Sequence, residues 1–302
     1  MSAVPKLITF CGPTATGKSG QALYLAQRLE SPLISADSRQ IYRDFNIGTA
    51  KPTPAQQKAW PHELIDIVDP TETFTVAQYQ AQAQALINKA HLQGQIPIVV
   101  GGTGLYIQAL TEGLGIPAVP PQPQLRQQLE QLPPDLCYEF LQQVDPPAAA
   151  RIHRNDRVRT LRALEIYYST GRPSSQMKQR TPPPYEVLIL GLTSSPSQLR
   201  RRIEQRARLM LAQGWIEEVK DLQAKYGLDL PLLQTLGYAE ISRYLRGELS
   251  HDQLLLEIVQ HTRQFAKRQL TWFRRTPGIE WLDCEADDLS HQIWSMVQDF
   301  LA

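Results

Sequence analysis

The sequence predicts an α/β protein whose parallel sheet core is interrupted by a mostly helical insertion and followed by a helical C-terminal part. Two observations support this fold class. Short apolar runs alternate with helical segments along the first third of the chain, and such alternation is typical of a parallel sheet covered on both faces. The strand pattern then stops at a proline-rich stretch and returns only near residue 187.

The first predicted elements form a strand–turn–helix unit. The apolar run at residues 7–11 indicates a buried strand, and Lys18–Leu29 carries apolar residues at helical spacing. A second strand is expected at Leu33–Ser35, a helix at residues 76–91 and a third strand at residues 96–100. Each predicted strand ends in a turn rich in glycine or polar residues, so the turns are expected at one edge of the sheet.

The sequence pattern changes in the middle of the chain. Four prolines between residues 117 and 123 mark a linker, and residues 125–170 show a helical pattern without a strand signal. A strand pattern returns at residues 187–192, and the chain is mostly helical from residue 197 onward. We therefore expect two domains: a core of residues 1–116 and 185–302, and a helical insertion of residues 117–184.

The composition excludes several classes of protein. The 302 residues are 42% hydrophobic and 20% charged, a balance typical of globular proteins and not of disordered chains. No run of 18 or more apolar residues predicts a membrane span, and the amino terminus lacks a signal-peptide pattern. The three cysteines are scattered and form no C-x-x-C pair, which favours buried reduced thiols in a cytoplasmic protein over a zinc site or disulfides.

A phosphate-binding loop follows the first strand. Its pattern is G-x-x-x-x-G-K-[ST], and it lies between a predicted strand and a predicted helix. Backbone N–H groups of such a loop surround an anion at the positive end of the helix, Lys18 contacts the terminal phosphate and the Ser19 hydroxyl can hold Mg²⁺. The core is therefore expected to be of the P-loop type that NTPases and kinases share. The loop comprises Gly12, Pro13, Thr14, Ala15, Thr16, Gly17, Lys18 and Ser19.

Two further turns are expected at the same edge of the sheet. Asp37 follows the second strand, where a carboxylate can act as a general base or hold metal-bound water, but can equally cap a turn. Residues 101–104, Gly-Gly-Thr-Gly, follow the third strand and suit a second set of phosphate contacts, although a flexible turn is the alternative. The motif alone does not distinguish a kinase, an NTPase and a transferase that releases diphosphate.

Basic residues are concentrated in three segments, although the net charge is only +1. Such local concentration favours contact with a polyanion over a merely solvated helix face. Phe265, Trp272 and Phe273 lie within the third segment, and aromatic rings among basic residues can stack on unpaired bases. For Trp272 a core position is the favoured interpretation. The segments contain Arg151, Arg154, Arg157, Arg159 and Arg162 (first), Arg200, Arg201, Arg202, Arg206 and Arg208 (second), and Arg263, Lys267, Arg268, Arg274 and Arg275 (third).

Eight segments, in order along nearly the whole chain, resemble the bacterial tRNA dimethylallyltransferases, also called tRNA isopentenyltransferases or IPP transferases. The last of these segments is long and highly specific. They are GPTATGKS (12–19), DSRQIY (37–42), GTAKP (48–52), HELID (62–66), GGTGLY (101–106), RALE (162–165), LGY (236–238) and TRQFAKRQLTWFR (262–274).

The resemblance implies transfer of a dimethylallyl group from dimethylallyl diphosphate to N6 of adenosine 37 in tRNAs that read codons starting with U. The products are N6-(dimethylallyl)adenosine and diphosphate. It also implies Mg²⁺ as cofactor, the anticodon arm of tRNA as partner, no membrane, a cytoplasmic monomer and a helical insertion that grips tRNA. Nucleotide binding, including ATP, is consistent with the loop, but physiological ATP binding is left open.

The resemblance also assigns residues to roles. Lys18, Thr103 and Asp37 are the catalytic residues, with Asp37 taking the proton from the adenine amine, and Ser19 holds the metal. Arg206 joins residues 12–19 in binding the diphosphate. The residues implied in tRNA binding are Asp37, Ser38, Arg39, Gln40, Thr103, Arg126, Val158, Arg159, Thr160, Leu161, Arg162, Gln234, Gly237, Tyr238, Lys267, Arg268 and Arg274.

Three alternatives belong to other classes. A P-loop kinase would need a nucleotide-base pocket and a pair of lid arginines, which the sequence does not reveal. A prenyltransferase acting on free adenylate would not need the helical insertion or the third basic segment. An RNA-binding module with a vestigial loop fits poorly with intact Lys18, Ser19 and Asp37.

Overall fold

A computed structural model describes residues 4–117, 119–177 and 180–302. The chain forms two compact units. The core unit contains Met1–Phe74, Gln80–Gln108 and Pro184–Ala302, and the helical unit contains Thr75–Tyr79 and Ala109–Pro183. The helical unit therefore begins before the prolines that the sequence suggested as its border. The reason is local pairing, because Thr181 N–H donates to Gly113 O at 3.0 Å and brings the two ends of the unit together.

The core unit contains a parallel sheet of six strands, which confirms the predicted α/β class. The strand order is β3-β2-β4-β1-β5-β6, and every neighbouring pair is parallel. Two strands were missed from the sequence: β3 has only two residues, and β6 is a half-buried edge strand with charged residues. The strands are β1 (Lys6–Cys11), β2 (Leu33–Ser35), β3 (His62–Glu63), β4 (Ile98–Val100), β5 (Glu186–Thr193) and β6 (Ile279–Asp283).

The helices surround this sheet and build the helical unit. In chain order they are α1 (Lys18–Leu29), α2 (Pro54–Ala59), α3 (Val76–Leu92), α4 (Gly104–Thr111), α5 (Pro123–Gln131), α6 (Pro134–Val144), α7 (Pro146–Ala149), α8 (Arg157–Thr170), α9 (Ser174–Met177), α10 (Pro196–Ala212), α11 (Trp215–Tyr226), α12 (Tyr238–Leu245), α13 (His251–Phe273) and α14 (Leu289–Leu301). None of the described helices is long and apolar enough to cross a membrane.

The register of the strands brings three loops to one edge. Phe10 of β1 pairs with Val100 of β4 and Leu190 of β5, and Ser35 of β2 also pairs with Val100. The loops that leave β1, β2 and β4 therefore start side by side, at the carboxyl edge where ligands bind in open parallel sheets.

Two apolar clusters stabilise the core unit. One packs α1 and α14 against the sheet, with fully buried Phe10, Leu25 and Ile293 among its members. The other packs α10 to α13 together with residues 41–45, and includes Trp215 and Tyr238. The second cluster fixes α10 and α13, which supply site residues. All three cysteines are buried free thiols, as predicted, and burial raises the pKa of Cys11 to about 12.

Candidate active site

The phosphate-binding loop runs from β1 into α1. Gly12 has φ 131°, and a Cβ there would lie 2.4 Å from Leu192 O, so only glycine fits. Gly17 caps α1 in the left-handed conformation, with φ 81°. Thr16 Oγ1 and Lys18 Nζ donate to the same acceptor, the carbonyl of Pro13, at 2.9 and 3.2 Å. The loop is thus closed on itself, with the Lys18 ammonium folded toward its centre.

Lys18 lies in an environment that disfavours its charge. Burial, the largest cause, and the positive charge of Arg206 together lower the pKa of Lys18 to about 8, although the Asp37 charge opposes the shift. An anion placed at the loop would relieve this repulsion and stabilise the protonated amine. The charged form of Lys18 is therefore expected to gain stability when an anion binds at the loop.

Thr14 is held by two side chains from distant helices. Its hydroxyl accepts a hydrogen bond from Arg206 Nη1 at 2.8 Å, and its amide donates to Gln269 Oε1 at 2.9 Å. The Thr14 amide, which the motif would offer to phosphate, is therefore used within the protein. Burial lowers the pKa of Arg206 and the Asp37 charge opposes this, so these groups interact electrostatically across the site.

Asp37 caps a turn and also lies at the edge of a cavity. Its Oδ1 accepts the amide of Arg39 at 2.8 Å, which is the Asx-turn geometry of a capping residue. The residue also lines the main cavity and acts electrostatically on Lys18 and Arg206. Capping uses one carboxylate oxygen for an amide, so it is compatible with a role for the carboxylate in the cavity.

The loop after β4 is fixed against the loop after β2. The Ser38 amide donates to Thr103 Oγ1 at 3.0 Å, and the Thr103 amide donates to Ala36 O at 3.1 Å. A Cβ on Gly101 would lie 2.1 Å from Ala36 O, so glycine permits this close approach. Residues 101–104 are therefore not a flexible turn, and the Thr103 hydroxyl is held beside Asp37.

A cavity of about 590 Å³ opens at this edge of the sheet. Polar groups from the three loops and Arg206 line it together with apolar and aromatic side chains of α10 to α13. Lys18 and Ser19 lie beyond its lining, although Lys18 is within electrostatic range of Asp37 and Arg206. The lining includes Thr14, Asp37, Ser38, Thr103, Arg206, Ile203, Met210, Trp215, Tyr238, Ile258, Phe265 and Trp272.

Trp272 lines this cavity, so the predicted core position is wrong. Its side chain is 38% exposed, and its indole packs over Gly104, where a Cβ would lie 2.3 Å from the ring. The next residue, Phe273, is only 1% exposed and takes the core position. Sequence spacing alone did not distinguish which of two adjacent aromatic residues faces inward.

Tyr238 forms part of the cavity lining rather than an exposed surface. It is 2% exposed, and its hydroxyl donates to Glu218 Oε1 at 2.8 Å. Glu218 also accepts the amides of Asn46, Ile47 and Gly48 at 3.0, 2.7 and 3.2 Å. This carboxylate therefore joins the 46–48 loop to Tyr238. No motif marked Glu218 in the sequence, because its role depends on contacts with residues far away in the chain.

Other predicted tRNA contacts differ in exposure. Gln234 lines the cavity, and Gly237 has φ 85° with its amide bound to Glu240 Oε2 at 2.6 Å. In the helical unit Val158 is 79% exposed, whereas Thr160 and Leu161 are buried. The Thr160 side chain therefore does not contribute to the surface on which Val158 lies, whereas Leu161 lines a pocket there together with Val158.

Most arginines of the first basic segment are engaged within the helical unit. Arg154 pairs with Asp135 at 2.9 Å and Arg159 with Asp156 at 3.3 Å. Buried Glu165 accepts Arg126 and Arg162, at 2.8 and 2.6 Å, as well as the Gln122 amide at 2.6 Å. Burial raises the pKa of Glu165, but the Gln122 bond and the two arginines lower it more, so that the net shift is downward.

The third basic segment differs from the other two because all five of its charges lack an ion-pair partner among the described residues. Arg263, Lys267, Arg268, Arg274 and Arg275 are exposed and form no ion pair among the described residues. The second segment is mixed: Arg202 pairs with Glu285 at 2.6 Å and Arg208 with Glu204 at 2.8 Å, whereas Arg200 and Arg201 are exposed and belong to none of the described ion pairs. The third segment is therefore the best candidate for a polyanion-binding surface.

The oxygen donors near the loop fit a metal held mainly by phosphate. The Ser19 hydroxyl is exposed and has no hydrogen-bond partner among the residues that the structure describes. Those residues contain no group of three or more His, Cys, Asp or Glu able to hold a metal. A single protein hydroxyl, that of Ser19, is compatible with Mg²⁺, which keeps waters and takes phosphate oxygens in such sites.

The fold and this site define a P-loop protein that places a phosphate-binding loop beside a partly apolar cavity. The IPP transferase family model matches residues 40–276, and the isopentenyl transferase model matches residues 5–69. Curated tRNA dimethylallyltransferases are similar along the whole chain. One from Synechococcus sp. (strain JA-3-3Ab) is 64% identical over 100% of this chain and 88% of its own. One from Thermosynechococcus vestitus is 57% identical over 97% of this chain and 94% of its own. The chain belongs to the IPP transferase family.

Solved structures agree with this assignment and confirm the P-loop type of the core. The tRNA isopentenylpyrophosphate transferase of Bacillus halodurans has a TM-score of 0.72 and 36% identity, covering 97% of this chain and 96% of its own. A eukaryotic dimethylallyltransferase described as acting on tRNA has a TM-score of 0.86 and 30% identity, covering 98% of this chain and 79% of its own.

Proposed function

We propose that this protein is a tRNA dimethylallyltransferase. It transfers the dimethylallyl group of dimethylallyl diphosphate to N6 of adenosine 37 in tRNAs that read codons starting with U, and releases diphosphate. The observation that carries the proposal is the meeting of the phosphate loop, Asp37 and Thr103 at one sheet edge, beside a cavity with apolar lining. Family membership supports the same reaction. A monomeric state and a cytoplasmic location stay predictions.

The leaving group explains why a phosphate loop serves a prenyl transfer. As the allylic C–O bond breaks, positive charge develops on carbon and negative charge on diphosphate. Fixed cations and donors then stabilise the departing charge. Lys18 and Arg206 supply positive charge that the site keeps partly desolvated. Thr103 supplies a hydroxyl from the neighbouring loop, and the remaining loop amides complete the donor set.

Asp37 is proposed to act on the nucleophile. The exocyclic amine of adenine is nearly non-basic, so it must lose a proton as its bond to carbon forms. A positioned carboxylate is a suitable acceptor. The Asx turn fixes Asp37 at the cavity, within electrostatic range of Lys18 and Arg206. Adenosine 37 would have to leave its stack in the anticodon loop to reach this position.

Mg²⁺ is proposed as the divalent metal that a diphosphate substrate generally requires. Ser19 would hold it, together with oxygens of the diphosphate, and the metal would add positive charge on the leaving group. The exposed Ser19 hydroxyl at the start of α1 supports this assignment.

The tRNA is proposed to contact the third basic segment and the helical unit. The free charges of the third segment support phosphate contacts with the anticodon arm. Phe265 and Trp272 line the cavity on the same helix, where aromatic faces can stack on an extruded base. Exposed Val158 and Arg159 are the proposed contacts in the helical unit.

A label-transfer assay tests the proposed function. Purified protein is incubated with unmodified tRNA and dimethylallyl diphosphate labelled in the allyl group, and label is expected in the adenosine fraction of digested tRNA. Parallel reactions with γ-labelled ATP, and with AMP in place of tRNA, test the kinase and free-adenylate alternatives. Label transfer from ATP, or prenylation of AMP in preference to tRNA, would contradict the proposal.

The pH dependence of diphosphate binding is expected to report on Lys18. Because the pKa of Lys18 is lowered to about 8, the amine is protonated below that pH and becomes neutral above it. Affinity for inorganic diphosphate should therefore decline as the pH rises through about 8. Calorimetric titrations from about pH 6 to 10 measure this, with Lys18→Arg as the control because arginine stays charged. A decline of equal size in Lys18→Arg would assign the titration to another group.

Charge reversal in the third basic segment should weaken tRNA binding and flatten its salt dependence. Each ionic interaction with phosphate that Lys267→Glu/Arg274→Glu removes should reduce the slope of log K against log salt by roughly 0.7 to 0.9. The matched control is Lys58→Glu/Lys220→Glu, which makes the same charge change at two exposed lysines. Salt titrations of tRNA affinity compare both variants with the wild type. Equal slopes in all three would mean that the third segment is only a solvated face.

A further inference from the structure

Gln269 of α13 joins the phosphate loop (residues 12–19) to the loop after β4 (residues 101–104). It is 8% exposed, and its amide group makes a hydrogen bond in each direction. The Oε1 atom accepts the amide of Thr14 at 2.9 Å, and the Nε2 atom donates to Gly102 O at 2.9 Å. Thr14 belongs to the loop after β1, whereas Gly102 belongs to the loop after β4. One side chain therefore spans the gap between loops that the backbone does not connect directly.

The space around Gln269 is shaped for this contact. A Cβ on Gly102 would lie 2.3 Å from Gln269 Nε2, so any other residue there would displace the amide. The Thr14 amide is the group that a phosphate-binding loop would otherwise offer to the ligand. Because Gln269 accepts this amide, its side chain is placed to act on the shape of the loop.

We propose that Gln269 is a positioning residue that holds the phosphate loop and residues 101–104 at a fixed separation. Lys18 and Thr103 then act on the same diphosphate. This inference rests on the proposed function, since it assumes that diphosphate is the ligand of both loops. Arg206 fixes Thr14 from the other side through the hydroxyl, so the two contacts are separable by substitution.

Equilibrium binding of inorganic diphosphate with Mg²⁺ is the primary measurement. Gln269→Met keeps the volume of the side chain but loses both hydrogen bonds, and affinity should fall by about 10-fold or more. The control is Gln264→Met, the same substitution at an exposed glutamine of α13, and it should bind like the wild type. Thermal unfolding should stay cooperative, with a modest loss of stability from the two unpaired groups, and tRNA affinity should be nearly unchanged, which separates a shifted loop from a misfolded protein.

A second variant, Gln269→Glu, distinguishes the loss of a hydrogen bond from a packing defect. At neutral pH the introduced carboxylate can accept the Thr14 amide but repels Gly102 O and the diphosphate, so binding should be weaker than in Gln269→Met. Once protonated, near pH 4 to 5, the introduced carboxyl can donate to Gly102 O. If protonation only removed the repulsion, the diphosphate affinity of Gln269→Glu would rise to that of Gln269→Met. The proposal requires it to bind more tightly than Gln269→Met at that pH.

Three results overturn the inference. Diphosphate affinity of Gln269→Met within about twofold of the wild type would show that the contact is not needed. Equal diphosphate affinities of Gln269→Glu and Gln269→Met at acid pH would show that the hydrogen bond to Gly102 O does not contribute to diphosphate binding. Failure of the wild type itself to bind diphosphate would refute the proposed function, and the inference with it, before any variant is compared.

Discussion

Lys18→Ala is expected to abolish dimethylallyl transfer and to leave tRNA affinity nearly unchanged. Lys18 is the cation at the centre of the phosphate loop, whereas the free charges proposed for tRNA belong to α13 and the two residues that follow it. The substitution therefore removes stabilisation of the leaving group, the largest electrostatic contribution in such a reaction. Single-turnover rates and tRNA affinities of the same preparation measure the two effects separately.

The fold should tolerate this substitution. The folded protein lowers the pKa of Lys18 to about 8, below that of the unfolded chain. The protonated amine therefore disfavours the folded state near neutral pH, and its removal takes away that destabilising charge. Lys58→Ala, at an exposed lysine of α2, is the matched control. A loss of tRNA affinity as large as the loss of rate would contradict the assigned division between loop and helix.

Asp37→Asn is expected to slow transfer by about two to four orders of magnitude, the usual contribution of one acid–base group. The amide oxygen of asparagine can still accept the Arg39 N–H, so the turn should survive. What is lost is the capacity of the side chain to take a proton from N6. Single-turnover rates measured with saturating tRNA and dimethylallyl diphosphate isolate this step from binding.

Asp69→Asn provides a matched control for this experiment. Asp69 Oδ1 accepts the amide of Thr71 at 2.9 Å, the same type of turn at a position outside the cavity. The two variants therefore perturb the same kind of cap, but only one of them alters a cavity group. If Asp37→Asn transferred the prenyl group at nearly the wild-type rate, Asp37 would be structural and another group would have to accept the proton.

The parts of the site that the sequence revealed are those encoded locally. Residues 12–19 follow a strand and begin a helix, so their spacing alone predicted both the loop and the place of Lys18. Asp37 and residues 101–104 were predicted at the same edge because parallel strands align their carboxyl ends. The hydrogen bonds of Thr103 to Ser38 and Ala36 bear out this geometry.

The parts that the sequence did not reveal depend on contacts between distant segments. Gln269 and Glu218 acquire their roles only when α13 and α11 pack against loops more than 150 residues away. The pattern around β6 mixes apolar and charged residues because an edge strand is only half covered. The division of the basic segments into paired and free charges likewise depends on carboxylates such as Glu165 and Glu285, whose positions the sequence does not give.

The central claim is that this protein prenylates an adenosine in tRNA, and the nucleoside content of cellular tRNA tests it most directly. Bulk tRNA is digested from cells that lack the protein, and from the same cells supplied with the wild type or with Lys18→Ala. Prenylated adenosine is expected to disappear in the deletion, to return with the wild type and to stay absent with Lys18→Ala. Unchanged prenylated adenosine in the deletion, or its full recovery with Lys18→Ala, would contradict the account.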